Sequence, residues 1–300
     1  MNPPPLLLTE ASAPGSAQVH LQVRAASADG PVLAEARLAA AIGLAVPRFW
    51  FHVGCTVHAS TSLGLFQRQR TLLLGNDHTG ASELALQGAA GEAAALQLAL
   101  HGALLLLAQQ RARFAPRLLA ELPGVRDAAG RSPFWDGLVR HFHAGEPADA
   151  ARRGGEHWRA GVAALLPRQP VYTAFLGAEV QAAIAQVPPE ALALRELLEH
   201  AGLRYGHHVC IDDGGPVLEA ETDTVPAVAG SRQWLLAAPD EAAAQGTPHW
   251  LLAGADGQAA RALRAPAVVH ADRLVLTPAS ARLLRLAAGE RVRAWPGQAG

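Results

Sequence analysis

LLLGNDHTGASEL, residues 72–84, sets Asn76, Asp77, His78, Thr79, Ser82 and Glu83 directly behind an apolar run. How this turn is read decides the fold around it. Asn, Asp, Ser and Thr side chains bond to nearby backbone, so the stretch suits an Asx-turn with Thr79 or Ser82 capping a following helix. The same side chains suit a turn that faces a ligand. Upstream, QVHLQVRA (18–25) alternates as a strand does, and ADG (28–30) is a turn signal ahead of PVLAEARLAAAIGL. FWFHVGCTVHAS (49–60), rich in aromatic and β-branched residues, reads as a strand, with RTLLLG (70–75) as its hairpin partner. The first quarter is expected to be an antiparallel meander, preceded by a disordered Pro-, Ala- and Ser-rich segment at 1–18.

Downstream the texture changes. EAAALQLALHGALLLLAQQRARF (92–114) predicts a long helix whose arginine-rich last turn suits the helix dipole. PRLLAELPGV (116–125) fits either a strand or a short helix plus turn. In GRSPFWDGLVRHF (130–142), Ser132 is the expected N-cap and Pro133 the first helical residue, with Phe134 and Trp135 packing as core. GAEVQAAIAQV (177–187) and EALALRELLEHAG (190–202) predict helices, the second closed by Gly202. RYGHHVCIDDGGPVLEAET (204–222) predicts strand, turn and strand. Past residue 225 the chain reads as loop-rich, with a late strand–helix–strand at 272–295. The expected class is α+β, a mixed sheet flanked by helices with a small C-terminal β-rich part.

Three hundred residues, half of them hydrophobic and 17% charged, describe a folded globular chain. A formal net charge of -1 without charge blocks gives no nucleic-acid footprint. Every basic residue is arginine, which removes lysine-based Schiff chemistry and a P-loop phosphate contact. Two cysteines, Cys55 and Cys210, make neither a disulfide framework nor a zinc site alone. The longest apolar stretch, LQLALHGALLLLAQQ, contains His101 and falls short of a membrane span, and no basic leader opens the chain, so a soluble cytoplasmic protein is expected. No G-x-G-x-x-G, P-loop or H-E-x-x-H occurs. His207-His208 and His141-Phe142-His143 lack a third ligand at usable spacing, so no metal site is assigned. Asp212-Asp213 before Gly214-Gly215 reads as turn chemistry.

Five strings occur in order: VGCTVHAS (53–60), LLLGNDHTGASEL (72–84), GRSPFW (130–135), RQPVYTAFL (168–176) and DDGGPVLE (212–219). Together they resemble the arginine N-succinyltransferase family, the arginine and ornithine succinyltransferases. The resemblance covers roughly residues 30–235 and the last thirty or so. It implies a GNAT-like acyl-CoA N-acyltransferase core over 19–225 and a C-terminal β-rich segment over 226–300. It also implies succinyl transfer from succinyl-CoA, as co-substrate, to the α-amine of L-arginine or to ornithine. A homo-oligomer, or a hetero-oligomer with a complete paralogue, is the expected assembly. In this light Asn76, Asp77, His78, Thr79, Ser82 and Glu83 are the expected substrate-binding residues, with Asp77 and Glu83 available to a guanidinium or ammonium group. Leu84, Leu86 and Gln87 are the expected acyl-CoA contacts.

The chain also departs from the family's pattern. The family's proton-donor histidine lies in a Q-V-H-P string, and this chain reads Gln186-Val187-Pro188-Pro189. Pro188 has no side-chain proton, so no catalytic residue is assigned; His141, His143, His207 and His208 are conceivable replacements. After Ser82-Glu83-Leu84 the family's phosphate-cradling turn, with its arginine and glycine pair, has no match in 85–102. The helices that open a GNAT-type domain have no counterpart ahead of QVHLQVRA. An inactive paralogue serving as a structural or regulatory subunit, or an arginine-binding module, therefore stands as an alternative.

Overall fold

The computed structural model describes residues 5–12, 16–25, 30–89, 91–254 and 259–297; Ala28 and Asp29 of the expected turn, and 1–4 and 13–15, lie outside them. The chain forms two compact units, each discontinuous in sequence. The first comprises Met1–Ala40, Ser82–Leu118 and Glu221–Gly300; the second comprises Ala41–Ala81 and Leu119–Ala220.

In the first unit, β1 (Leu6–Glu10), β2 (Gln18–Ala25), β3 (Ala34–Ala39) and β6 (Ser82–Gly88) form an antiparallel run. Alternation along β2 and β3 buries Val19, Leu21, Val23, Ala36 and Leu38, and α1 (Ala93–Gln109) packs on these strands. α1 is apolar over most of its circumference, as a helix buried within a unit must be. A Cβ at Gly102 would lie 2.6 Å from Leu8 Cδ1, so the glycine lets the helix close on β1. β1 corrects the expectation of disorder at Leu6–Glu10: Leu8 is fully buried and pairs opposite Val23.

The rest of the first unit corrects the loop-rich reading past 225. β11 (Arg232–Leu236), β12 (Thr247–Ala253), β13 (Arg261–His270), β14 (Arg273–Leu276) and β15 (Arg291–Trp295) close on one another in the order β12–β15–β11–β14–β13, with β13 returning to β12. The closure leaves these five strands a core of Leu236, Leu251, Leu263, Leu274 and Val292, joined by Leu284 of α8 (Pro278–Leu284). Small alanines and Pro248 and Pro266 hid β12 and β13, because neither residue type gives a β-branched alternation. The late strand–helix–strand is β14–α8–β15, as expected. A short helix, α7 (Pro226–Gly230), precedes β11.

The second unit is built on strands ordered β7, β10, β9, β4, β5 and β8. β4 (Trp50–Ser60) and β5 (Leu65–Gly75) form the expected hairpin, longer than its sequence signal, with Phe51 opposite Leu74. β9 (Arg204–Cys210) pairs with the start of β4 and with β10 (Pro216–Glu221); β8 (Val171–Tyr172) borders β5. β7 (Arg117–Glu121) settles 116–125 as a strand and carries the chain from one unit to the other. The meander expectation fails at one place: β3 pairs with β6 rather than β4, because 41–81 folds into a separate core.

That core gathers Phe51, Leu72, Leu74, Val209 and Ile211 under Phe134 and Trp135 of α2 (Pro133–Gly137). α3 (Pro147–Gly154), α4 (Trp158–Leu165), α5 (Ala178–Ala183) and α6 (Leu192–His200) complete the unit. Ser132 caps α2 by accepting from the Trp135 N–H at 3.2 Å, and Gly202 (φ +109) ends α6, both as expected. α5 stops well short of 187, where Ile184 turns extended and Ala185 takes a left-handed φ of +62, its N–H donating to Gly214 O. The arginine-rich end of 92–114 is no last helical turn: Arg111–Arg113 form a separate 3₁₀ turn, and Arg111 pairs with Asp223. Among the described residues no helix is long and apolar enough to cross a membrane.

Candidate functional site

The opening stretch leads from one strand into another. β5 ends at Gly75, a tight turn follows, and β6 starts at Ser82, so the helix-capping reading is overturned. Within the turn Thr79 N–H donates to Asn76 O at 2.9 Å and Ala81 N–H to His78 O at 3.0 Å. Asn76, Asp77 and Thr79 face solvent, while His78 is buried. The six expected substrate residues divide between the units at 81/82. Ser82 is used structurally: its hydroxyl donates to Ala40 O and accepts from Ala115 N–H. Glu83 is buried where β6 begins, opposite Ala39.

In the second unit the turn meets β9 through a histidine. His208 Nε2 lies 2.9 Å from Asp77 Oδ2, and His208 Nδ1 lies 2.8 Å from the Gly206 carbonyl oxygen. The imidazole is 7% exposed and the carboxylate 57%, so the pair has a dry end and a wet end. Burial works against the charge on Asp77. The positive field of His208, a bond from Asp77's own backbone and the His208 hydrogen bond outweigh that and hold the carboxyl below the usual range. His78 packs 4.1 Å from His208 between ring centres, His52 of β4 lies 5.1 Å from it, and Trp50 meets His78 edge-on at 5.2 Å.

A β-bulge aims His208. Val217 opposes His208 but Leu218 opposes Tyr205, leaving Gly206 and His207 as extra residues in β9. His207 sits in the left-handed region at φ +60, which is costly for a non-glycine residue. Gly206 leaves room for the Glu219 side chain, since a Cβ there would lie 2.1 Å from Glu219 Oε1 and the glutamate would have to move.

A charged network in the same unit fixes Trp50. Glu121 of β7 accepts from Trp50 Nε1 at 2.7 Å and Arg48 at 2.5 Å and pairs with Arg159 at 3.2 Å; Arg159 reaches Asp212 at 3.0 Å. Burial opposes the Glu121 charge, but Arg48, Arg159 and the bonds from Trp50 and Arg48 keep its carboxyl ionised. Asp213 forms the expected turn bond, accepting from Gly215 N–H at 2.9 Å. Burial and the neighbouring Asp212 push its carboxyl up to about 6. Cys210, Asp212 and Asp213 place donor atoms within 4.8 Å of one another, with Arg159 already on Asp212.

The expected acyl-CoA residues lie on β6 in the first unit. Leu84 is buried in the core; Leu86 and Gln87 line an open cleft of about 240 Å³ with His20, Gln22, Glu35 and Arg37. The cleft follows the strand register, which sets Gln22 opposite Glu35 and Glu35 opposite Gln87. Pro188 caps a 3₁₀ turn, its carbonyl accepting from Ala191 N–H. Phe134 and Trp135 are fully buried, as the packing reading of RSPFW expected. Sequence reasoning missed Glu121, Arg159 and Trp50 as a network, and His208 as the partner of Asp77. A contact between residues 131 positions apart leaves no spacing signal.

A family model for the arginine N-succinyltransferase beta subunit matches residues 8–227, and the model of its C-terminal domain matches 232–296. Arginine N-succinyltransferase subunit beta of Pseudomonas aeruginosa is 38% identical over 272 residues, 89% of this chain and 79% of that protein. Arginine N-succinyltransferase of Enterobacter sp. (strain 638) is 36% identical over 93% of this chain and 82% of that one. The structure of arginine/ornithine succinyltransferase subunit AI from Pseudomonas aeruginosa matches at a TM-score of 0.79 and 26% identity, covering 96% of this chain and 84% of that chain. With one model spanning both units and a second taking in the closed β11–β15 strands, the chain belongs to the arginine N-succinyltransferase family.

Proposed function

We propose that this chain moves the succinyl group of succinyl-CoA onto the α-amine of L-arginine, with ornithine as the nearest alternative acceptor. The observation that carries the reading is the extent of the family match, which includes the NDHTG turn and the bulged strand behind it. In the reaction the amine nitrogen attacks the thioester carbonyl, a C–N bond forms and the C–S bond breaks with its electron pair on sulfur. The ammonium loses two protons in all, one reaching the thiolate and one the solvent. Asp77 receives the acceptor's positive charge, with exposed Asn76 and Thr79 beside it and His78 supporting the turn. Pro188 has no proton to give, so the thiolate is protonated from another source.

A GNAT-like arrangement forms part of the proposal. β6 leads through Gly91 (φ +85) into α1, a strand–turn–helix order suited to an acyl-CoA, with Leu86 and Gln87 lining the cleft beside β6. The proposal also includes assembly with other subunits, as the names of the relatives suggest. Thiol release from succinyl-CoA, with and without L-arginine, tests the activity. Arginine-dependent release by the wild-type chain is expected, and Asp77→Asn lowers kcat/KM for the amine by about 10–100-fold. A folded wild-type chain that releases no thiol with arginine or ornithine overturns the reading in favour of a non-catalytic subunit.

A further inference from the structure

We propose that His208 is a positioning residue for the acceptor amine, fixing the carboxylate of Asp77 so that its open side receives the substrate cation. The inference rests on the acyl-transfer reading and adds to it the residue that sets acceptor affinity. Three observations lead to it. First, only one end of the pair is wet: His208 is 7% exposed at the side chain against 57% for Asp77, so the imidazole supports from behind while the carboxylate faces outward. Second, both ring nitrogens meet acceptors, the Asp77 carboxylate at 2.9 Å and the Gly206 carbonyl at 2.8 Å. An imidazolium, with a donor on each nitrogen, satisfies both bonds at once and leaves the ring no rotational freedom. Third, the backbone is bent to make this possible. The bulge at Gly206 and His207 turns the Gly206 carbonyl toward Nδ1, and His207 holds a left-handed φ of +60. Strained, bulged strands of this kind re-aim a side chain. His78 and His52 wall the ring on two further sides at 4.1 and 5.1 Å between centres.

Two substitutions separate the bonds. In His208→Asn the amide nitrogen stands near the position of Nδ1 and keeps the Gly206 bond, but is too short for Asp77. In His208→Gln it stands near the position of Nε2 and keeps the Asp77 bond. Full-length wild type and both variants are assayed with L-arginine and succinyl-CoA, with circular dichroism confirming the fold. His208→Asn is expected to raise the arginine KM about 10–100-fold, as a displaced binding group does, with the succinyl-CoA KM and kcat little changed. His208→Gln recovers most of the arginine KM. The Asp77 carboxyl, followed by ¹³C NMR, titrates nearer 3.8 in His208→Asn than in wild type. Unaltered arginine KM and an unmoved Asp77 midpoint in folded His208→Asn overturn the inference and leave the acyl-transfer reading standing. A wild-type chain that turns over neither amine overturns that reading instead. Calorimetric binding of L-arginine then decides the inference alone: equal affinity for wild type and His208→Asn overturns it.

Discussion

His101 in the first unit and His208 in the second are both histidines set in from solvent, and their surroundings use them in opposite ways. His101 lies on α1, stacked on Trp250 at 4.4 Å and 12° and close to Trp295 at 5.2 Å. Its Nδ1 faces its own helix, at Gln97 O, and Arg264 lies over the face of Trp250. Burial, with a smaller push from Arg264, lowers its pKa to about 4 against a favourable bond to Gln97. The ring is therefore neutral and works as an aromatic spacer. His208 faces a carboxylate on one nitrogen and a carbonyl on the other. One unit spends its histidine on packing, and the other spends its histidine on aiming a charge. The difference lies in what each element meets: an apolar helix with a Trp pair, or a bulged strand against a polar turn.

The second unit's reliance on charge is tested most strongly at Glu121. Replacing it with alanine leaves Arg48 and Arg159 without their shared carboxylate and Trp50 Nε1 without its acceptor. Removing one partner of a buried ionic cluster costs about 3–5 kcal/mol, because the remaining charge stays desolvated. Urea unfolding of Glu121→Ala should show a loss of this size; Glu121→Gln, which still accepts from Trp50, should lose less. A loss under 1 kcal/mol in Glu121→Ala would mean that water already solvates the arginines, and the network would be no part of the unit's stability.

The sequence made some of this legible and not the rest, for reasons visible in particular residues. Ser132-Pro133, the β4–β5 hairpin and the Asp-Asp-Gly-Gly turn depend on neighbours in the chain, and each formed where expected. The polar turn at 76–80 was legible as a dense polar site but misleading as a cap, since Asx-type turns precede strands as readily as helices. Strands β12 and β13 were lost because alanine and proline carry no β signal; they form because closure with β11, β14 and β15 buries Leu251 and Leu263 against Leu236, Leu274 and Val292. The site's support was lost for another reason. Glu121, Arg159 and His208 act across separations that no local pattern encodes.

A smaller effect sharpens the histidine comparison itself. A histidine whose folded pKa is lowered binds its proton more readily when unfolded, so it weakens the fold as pH falls. For His101 that stability is fully present above about 6.5 and is lost progressively as pH drops toward about 4. The shift corresponds to about 2 kcal/mol once solvent screening at the ring's open edge is allowed for. His101→Phe keeps the stack without the titration. Between pH 7 and 4 its unfolding free energy should fall by about 2 kcal/mol less than that of wild type. If both fall equally, the Trp250–Trp295 pocket admits the charged ring, and His101 is no passive spacer.

The smallest expected effect separates what holds the second unit together from what its turn does. Ser132 accepts the Trp135 N–H at 3.2 Å and so seats Phe134 against Phe51, ring centres 5.9 Å apart. Removing an N-cap hydroxyl costs about 1 kcal/mol, and an aspartate there restores part of it by accepting the same N–H. Ser132→Ala should therefore lower stability by about this amount and Ser132→Asp by less, measured by urea midpoint. Neither change touches Asp77 or His208, whose bond is made between the turn and β9. The arginine KM should stay at the wild-type value in both variants while His208→Asn moves it. A Ser132→Ala variant that raised the arginine KM as far as His208→Asn would show that acceptor binding follows general loosening of the unit, and the special place given to His208 would be lost.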